Sequence, residues 1–217
     1  MVGSGMSMTF EYKKTKQITV KWIQDYLDGE ASLKDAFDIG NILYVFPQGY
    51  ESPIPFEIVH ISEETRSLYF MSKDILEEMP MDKIGGWLEN FKRKLPVELI
   101  AHLKIIQHIN DRHAFSNIND RHAFSRLVAI PSIKNMCEDY MRLCEGDDDI
   151  EFDKFKTEIG RCKDFNGETM VYWTDTPGIA GFKREDFYVV KDNGHTDTFG
   201  YWMRFGVCPI FKLSKDE

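Results

Sequence analysis

Five side chains could serve in proton transfer or nucleophilic attack: His60, His102, His108, His195 and Cys162. Catalysis would need a nucleophile held within reach of a base. No G-x-S-x-G, H-E-x-x-H or Cys-with-His motif holds any of these five together, and no P-loop or G-x-G-x-x-G is present. No catalytic residue is therefore assigned. The acidic run Asp147-Asp148-Asp149, with Glu151 and Asp153, has the oxygen ligands that calcium prefers. It lacks the central glycine of an EF-hand loop and reads as a solvated loop after a helix. Asp192-Asn193-Gly194-His195-Thr196-Asp197 carries metal-capable groups, but Asn-Gly between apolar runs signals first a hairpin turn. Neither a metal nor a cofactor is implied.

The four cysteines, Cys137, Cys144, Cys162 and Cys208, form no C-x-x-C pair and read as free thiols. The net charge of −9 argues against a phosphate-backbone binder, so no nucleic-acid partner is expected. Lys92-Arg93-Lys94 is a short basic run that reads as a solvated helix face. No stretch approaches the roughly 20 apolar residues of a transmembrane helix, and no signal-peptide core follows Met1. The expectation is a cytoplasmic or virion-associated chain without a membrane partner. Residues 1–8, beginning Met1-Val2-Gly3-Ser4-Gly5, read as a tag or disordered start.

Aromatic side chains carry the stronger signal. Trp173, Tyr188, Tyr201, Trp202 and Phe205 cluster in the C-terminal 45 residues, more than one edge of a small sheet needs for its core. Strand alternation across 201–207 would send Tyr201, Met203, Phe205 and Val207 to one face, and Trp202 with Arg204 to the other. Trp and Arg are enriched at binding hot spots. Trp202 is thus either a surface anchor or packed beneath a long loop. The candidate ligand-binding set is Trp173, Asp175, Tyr188, His195, Trp202 and Arg204.

Elements must position these groups. At 217 residues the chain can bury roughly 70% of its unfolded surface without staples, and 42% hydrophobic content is that of a globular protein. Val20, Ile23 and Leu27 fall at helical spacing and Gly29 supplies a stop; Ser32 to Asp35 resembles a capping box. Asn41 to Phe46 reads as a strand, and Phe56–Ile61 and Ser67–Ser72 as a hairpin around Glu63 to Arg66. Trp87, Leu88, Phe91 and Leu95 continue a helix, with Pro96 opening the next at its first position. Ser132 caps a helix expected to run through Cys144, and 150–217 reads as strand and loop. Asn110–Ser116 recurs identically as Asn119–Ser125, a tandem duplication too short for a solenoid. It accounts for His113 and His122 without metal chemistry.

Several of these segments together resemble a family. Tyr172-Trp173-Thr174-Asp175-Thr176-Pro177-Gly178 resembles the W-W-L-R-S-P-G element of an uncharacterised domain family common in Firmicutes and their phages. Phe205 to Ile210 is similar to its closing Y-G-V-R-P-V, Ile54 to Val59 to its P-I-x-W-x-V-L strand, and Gly86 to Phe91 to its R-x-W-L-N-x-x-F helix. Leu68–Leu76 and Leu127–Ser132 resemble two further segments, in the same order over about residues 40–213. Asp175 and Cys208 stand where the family has arginine.

The resemblance implies an α+β fold: a C-type-lectin-like twisted antiparallel sheet with flanking helices, similar also to sulfatase-modifying factors. A lectin-like domain over 41–217 would follow a helical element over 9–40. The function it implies is non-catalytic recognition of a protein or glycan, in a bacterial or phage setting. Two alternatives stand beside it. One is a relative of the formylglycine-generating oxidoreductases using Cys162, Cys208 or a metal; the other is an acidic phage-encoded inhibitor of a host protein.

Overall fold

A computed structural model describes residues 17–108, 124–137, 150–178 and 186–215. The duplicated segment lies almost entirely outside them, as do Asp147–Asp149 and residues 1–16. The fold is mixed α+β, mostly sheet with a few helices. A six-stranded sheet runs in the order β1 (Gln17–Ile18), β2 (Ile42–Val45), β3 (Ile54–Ser62), β4 (Ser67–Ser72), β15 (Ile210–Ser214) and β6 (Leu103–Lys104). A five-stranded sheet has the order β13 (Thr196–Gly200), β12 (Asp186–Val190), β11 (Tyr172–Pro177), β14 (Phe205–Val207) and β5 (Glu77–Met79). Two short hairpins complete the strands, β7 (Ile106–His108) with β8 (Phe124–Arg126) and β9 (Lys163–Phe165) with β10 (Glu168–Met170). Pairing is antiparallel except between β1 and β2 and between β11 and β14.

Helix α1 (Val20–Asp28) starts where the Thr19 hydroxyl accepts the Trp22 N–H at 3.2 Å, and it buries Ile23 and Leu27. A short α2 (Leu33–Ala36) follows. The helix read around Trp87 is longer than expected: α3 spans Met81–Lys94 and buries Ile84, Leu88 and Phe91. Pro96 precedes α4 (Val97–Ile100) as its cap, one position before the place read for it. The helix after Ser132 is a correction. α5 covers only Ile133–Met136, and Cys137 is already extended. The Phe152 N–H occupies the Asn135 carbonyl at 3.0 Å and the Asn135 amide donates to the Ile150 carbonyl at 2.8 Å, so the returning chain takes the helix's exit.

The six-stranded sheet is covered on both faces. Leu68 and Phe70 of β4 join Phe56, Phe211 and the inner faces of α1 and α3; Tyr69 and Met71 join Ile210, Phe152 and Phe155. All six residues of β4 are buried, which is why it reads as a continuous apolar run rather than an alternation. A bulge between Ile58 and His60 places two successive residues, Val59 and His60, on the second face.

The turn of the β3–β4 hairpin grips the N-terminal helices by both signs of charge. The Glu63 carboxylate accepts from the Ser32 hydroxyl (2.8 Å) and from the N–H groups of Leu33 (3.2 Å) and Lys34 (2.8 Å), at the start of α2. The Arg66 guanidinium donates to the carbonyls of Leu27 and Ala31, each at 3.1 Å, and to that of Tyr26, at the end of α1. Unsatisfied helix-end groups are thereby met by the charges that suit them. Among the described residues, no helix is long and apolar enough to cross a membrane.

Candidate functional site

A cluster of paired charges lies under the segment 152–163. Glu57, on an inward position of β3, accepts from Lys163 Nζ and Lys154 Nζ, each at 2.6 Å, and Lys163 also donates to the Ser72 carbonyl at 2.9 Å. Lys163 is 2% exposed and Glu57 5%. Burial pushes the Glu57 carboxyl up, but the ammoniums of Lys163 and Lys154 outweigh it and hold it below the usual range. Nearby, His60 Nδ1 lies 3.1 Å from Asp153, which also pairs with Lys156 at 2.9 Å; the His60 ring stacks on Phe152. Burial lowers the His60 pKa despite Asp153, so the ring is neutral at pH 7. These groups pair with and pack against one another and form no open constellation.

Cys162 and Cys208 are not activated either. Burial raises the fully enclosed Cys208 to about 12. Burial also raises Cys162, helped by Asp164, Asp192 and Glu158. A reactive thiol needs the opposite shift. Among the described residues, no group of three or more His, Cys, Asp or Glu could hold a metal ion.

The turn of the β12–β13 hairpin is built onto the short helix α6 (Glu158–Arg161). Gly194 has φ +80° and a Cβ there would fall 2.1 Å from the Glu158 carbonyl oxygen, so only glycine fits. Arg161 donates to the Gly194 carbonyl at 3.3 Å. Exposed His195 lies 3.3 Å from Glu158, and its backbone N–H donates to the Asn193 side chain at 3.1 Å. Asn193 and Gly194 thus act as turn residues.

The remaining candidates divide by exposure. Trp173 is completely buried: its indole N–H donates to the Met79 carbonyl at 2.9 Å and its ring meets Phe205 edge-on at 4.9 Å. As a strand residue facing the main core it is taken up by packing, not presented to a ligand. Asp175 is 4% exposed and accepts from the Thr176 hydroxyl at 3.3 Å. It lines a small cleft of about 60 Å³ between β11 and α3, together with Arg126. Tyr188 is half-buried on β12.

Trp202 and Arg204 are at the surface, but not by strand alternation. Residues 201–204 form a turn between β13 and β14, closed by the Met203 N–H donating to the Gly200 carbonyl at 3.0 Å. Met203, expected to face inward, is therefore 39% exposed beside Trp202 at 53%. The turn is held at three points. Tyr201 O accepts from the Met81 N–H at 2.9 Å, Arg204 Nη2 donates to the Glu78 carbonyl at 2.6 Å, and Tyr201 meets the Trp202 ring edge-on at 5.5 Å. A Cβ on Gly200 would lie 2.5 Å from the Trp202 indole, so the ring rests directly on the glycine backbone.

No protein-family model, no curated protein and no solved structure matches this chain. The site must be read from its geometry alone. Sequence reasoning placed Trp202 and Arg204 at the surface, where they lie, but turned Met203 inward, because it extended the strand backward across the turn. It also missed Arg126 and Gly85, which shape the cleft. The Gly85-Gly86 pair inside an otherwise helical pattern was the available signal.

Proposed function

We propose that this chain is a non-catalytic recognition domain that binds a partner protein through the turn Tyr201–Arg204. We read the curled antiparallel sheet and its helices as a C-type-lectin-like arrangement, with this turn as its variable binding loop. The single observation that carries the reading is the exposed Trp202 fixed on Gly200. A rigid aromatic loses little entropy on binding, and Trp, Met and Arg are the residues enriched at protein interfaces. The neighbouring sheet edges favour side-chain contacts over strand addition: the Glu78 carbonyl is already taken by Arg204, and the Thr198 N–H by the Asp197 carboxylate at 2.8 Å.

Immobilised chain is exposed to host lysate and, separately, to a glycan array, with Trp202→Ala and Arg204→Ala alongside. A protein retained at least about 30-fold better by the parent than by Trp202→Ala, at unchanged thermal stability, is the expected result. Equal retention by parent and variant would overturn the reading, and glycan binding lost with Trp202 would replace the protein partner by a carbohydrate.

A further inference from the structure

We propose that Asn166 is a self-modification site: its side chain closes a ring with the Gly167 nitrogen, ammonia leaves, and water reopens the ring to isoaspartate or aspartate. Asn-Gly occurs twice in the chain, as Asn166-Gly167 and Asn193-Gly194. A glycine has no side chain to shield its nitrogen from the neighbouring amide carbon, so either pair could react. The fold restrains one and leaves the other open.

Asn193 is held. Its side-chain oxygen accepts the His195 N–H at 3.1 Å, so the amide swings toward Gly194 only by giving up a hydrogen bond. The attacking atom is occupied too, because the Gly194 N–H donates to the Lys191 carbonyl at 2.9 Å. Arg161 holds the Gly194 carbonyl at 3.3 Å, and this turn joins two strands of a five-stranded sheet.

Asn166 has none of these restraints. It and Gly167 are exposed, and among the described residues neither the Asn166 amide nor the Gly167 N–H has a hydrogen-bond partner. Phe165 pairs with Glu168, so these two residues alone make the turn, with φ +54° and +87°. A type I′ turn has positive φ at both central positions, so Asn-Gly suits the hairpin for the same smallness that makes it reactive. Ring closure must bring the Gly167 nitrogen onto the Asn166 side-chain carbon, which requires the turn to open. Opening is cheap here, since β9 and β10 form a sheet of two strands only and Glu168 and Thr169 are exposed.

The step balances with water alone. The Gly167 nitrogen gives its proton to solvent base and bonds to Asn166 Cγ; the Cγ–Nδ2 bond breaks and ammonia leaves. Hydrolysis at one carbonyl of the succinimide restores the main chain as aspartate, and at the other routes it through Cβ as isoaspartate. In sum, an amide and water become a carboxylate and ammonium. The new carboxylate joins Asp164 and Glu168 on the same hairpin. As isoaspartate it also adds a backbone atom to a two-residue turn.

The site shares no residue with the Trp202 turn and is independent of that reading. The full chain is incubated in mildly alkaline buffer, folded and in urea, and then digested. Trypsin cuts after Lys163 and Lys191, so the peptides beginning at Asp164 and Asp192 carry one Asn-Gly each. Mass spectrometry follows the exchange of NH2 for OH in each peptide, and fragmentation separates isoaspartate from aspartate. In the folded chain Asn166 should convert at least about tenfold faster than Asn193, with isoaspartate among its products. In urea the two rates should converge. Equal rates in the folded chain, or faster conversion of Asn193, would overturn the proposal. So would a gap that persists in urea, which would trace it to the flanking sequence, or a product with aspartate and no isoaspartate, which would mean direct hydrolysis.

Discussion

Residues 152–163 and residues 200–204 both gather charged and aromatic side chains, and they dispose them in opposite ways. Beneath 152–163, two lysines converge on one carboxylate, His60 meets Asp153, and Phe152 and Phe155 seal the cluster. Each of these polar groups faces another of the cluster. At 200–204 no acid–base pair exists, yet an indole, a thioether and a guanidinium are presented outward from a turn pinned at its ends. Residue types capable of chemistry therefore do not locate a site by themselves. What separates the two regions is whether the groups are spent on one another. The difference can be tested by removing single members of each.

The largest effect should come from Glu57→Ala. It leaves the buried Lys163 ammonium with only the Ser72 carbonyl, and an uncompensated buried charge costs about 3–5 kcal/mol. Urea unfolding should show this as a lower midpoint at constant slope. A loss under about 1 kcal/mol would mean that the cluster is hydrated, and the contrast with the turn would weaken.

Arg66→Ala comes next. It removes the donor to three carbonyls at the end of α1, and a charged hydrogen bond contributes about 1.5–3 kcal/mol, so a net loss of about 2 kcal/mol is expected. Amide exchange should accelerate first in α1. Uniform acceleration across both sheets would instead show that the N-terminal helices and the sheet open as one unit.

At the turn, Trp202→Ala should cost less than about 1 kcal/mol of stability, since the residue is already 53% exposed. Gly200→Ala is the sharper variant. Its new methyl displaces the indole without deleting it, and should reduce partner capture as Trp202→Ala does. Binding that survives in Gly200→Ala and fails in Trp202→Ala would show that the ring is needed but not its seat.

Legibility in the sequence followed the same division. α1, the β3–β4 hairpin and the Asn193-Gly194 turn were readable because periodicity and turn chemistry are local. The truncated α5 was not, because its end is imposed by Phe152 and Ile150 returning from 15 residues away. Trp173 and Trp202 look alike in sequence; their separation into core and surface depends on β5 arriving beside β14 with its Met79 carbonyl. Glu57 stands between Phe56 and Ile58 as any solvent-facing strand residue would. Its burial is a fact about Lys163, 106 positions away.

The smallest expected effect is a pH dependence confined to the charged cluster. His60 has its pKa lowered in the folded state, chiefly by burial, so the unfolded chain takes up the proton first. Stability contributed by the neutral ring is then complete above about pH 6.5, the unfolded value, and is lost as pH falls from there through the folded pKa. Glu57 and Asp153, both held low against their own burial, add a second loss that begins only below about pH 4.5. His60→Gln should abolish the upper limb of the curve and leave the lower one. The Trp202 turn, which lies apart from His60, Glu57 and Asp153 in the sequence, should keep its binding through the same interval as long as the chain stays folded. Parallel loss of binding and of His60-dependent stability would show that the two regions are coupled, and that the buried cluster governs the exposed turn.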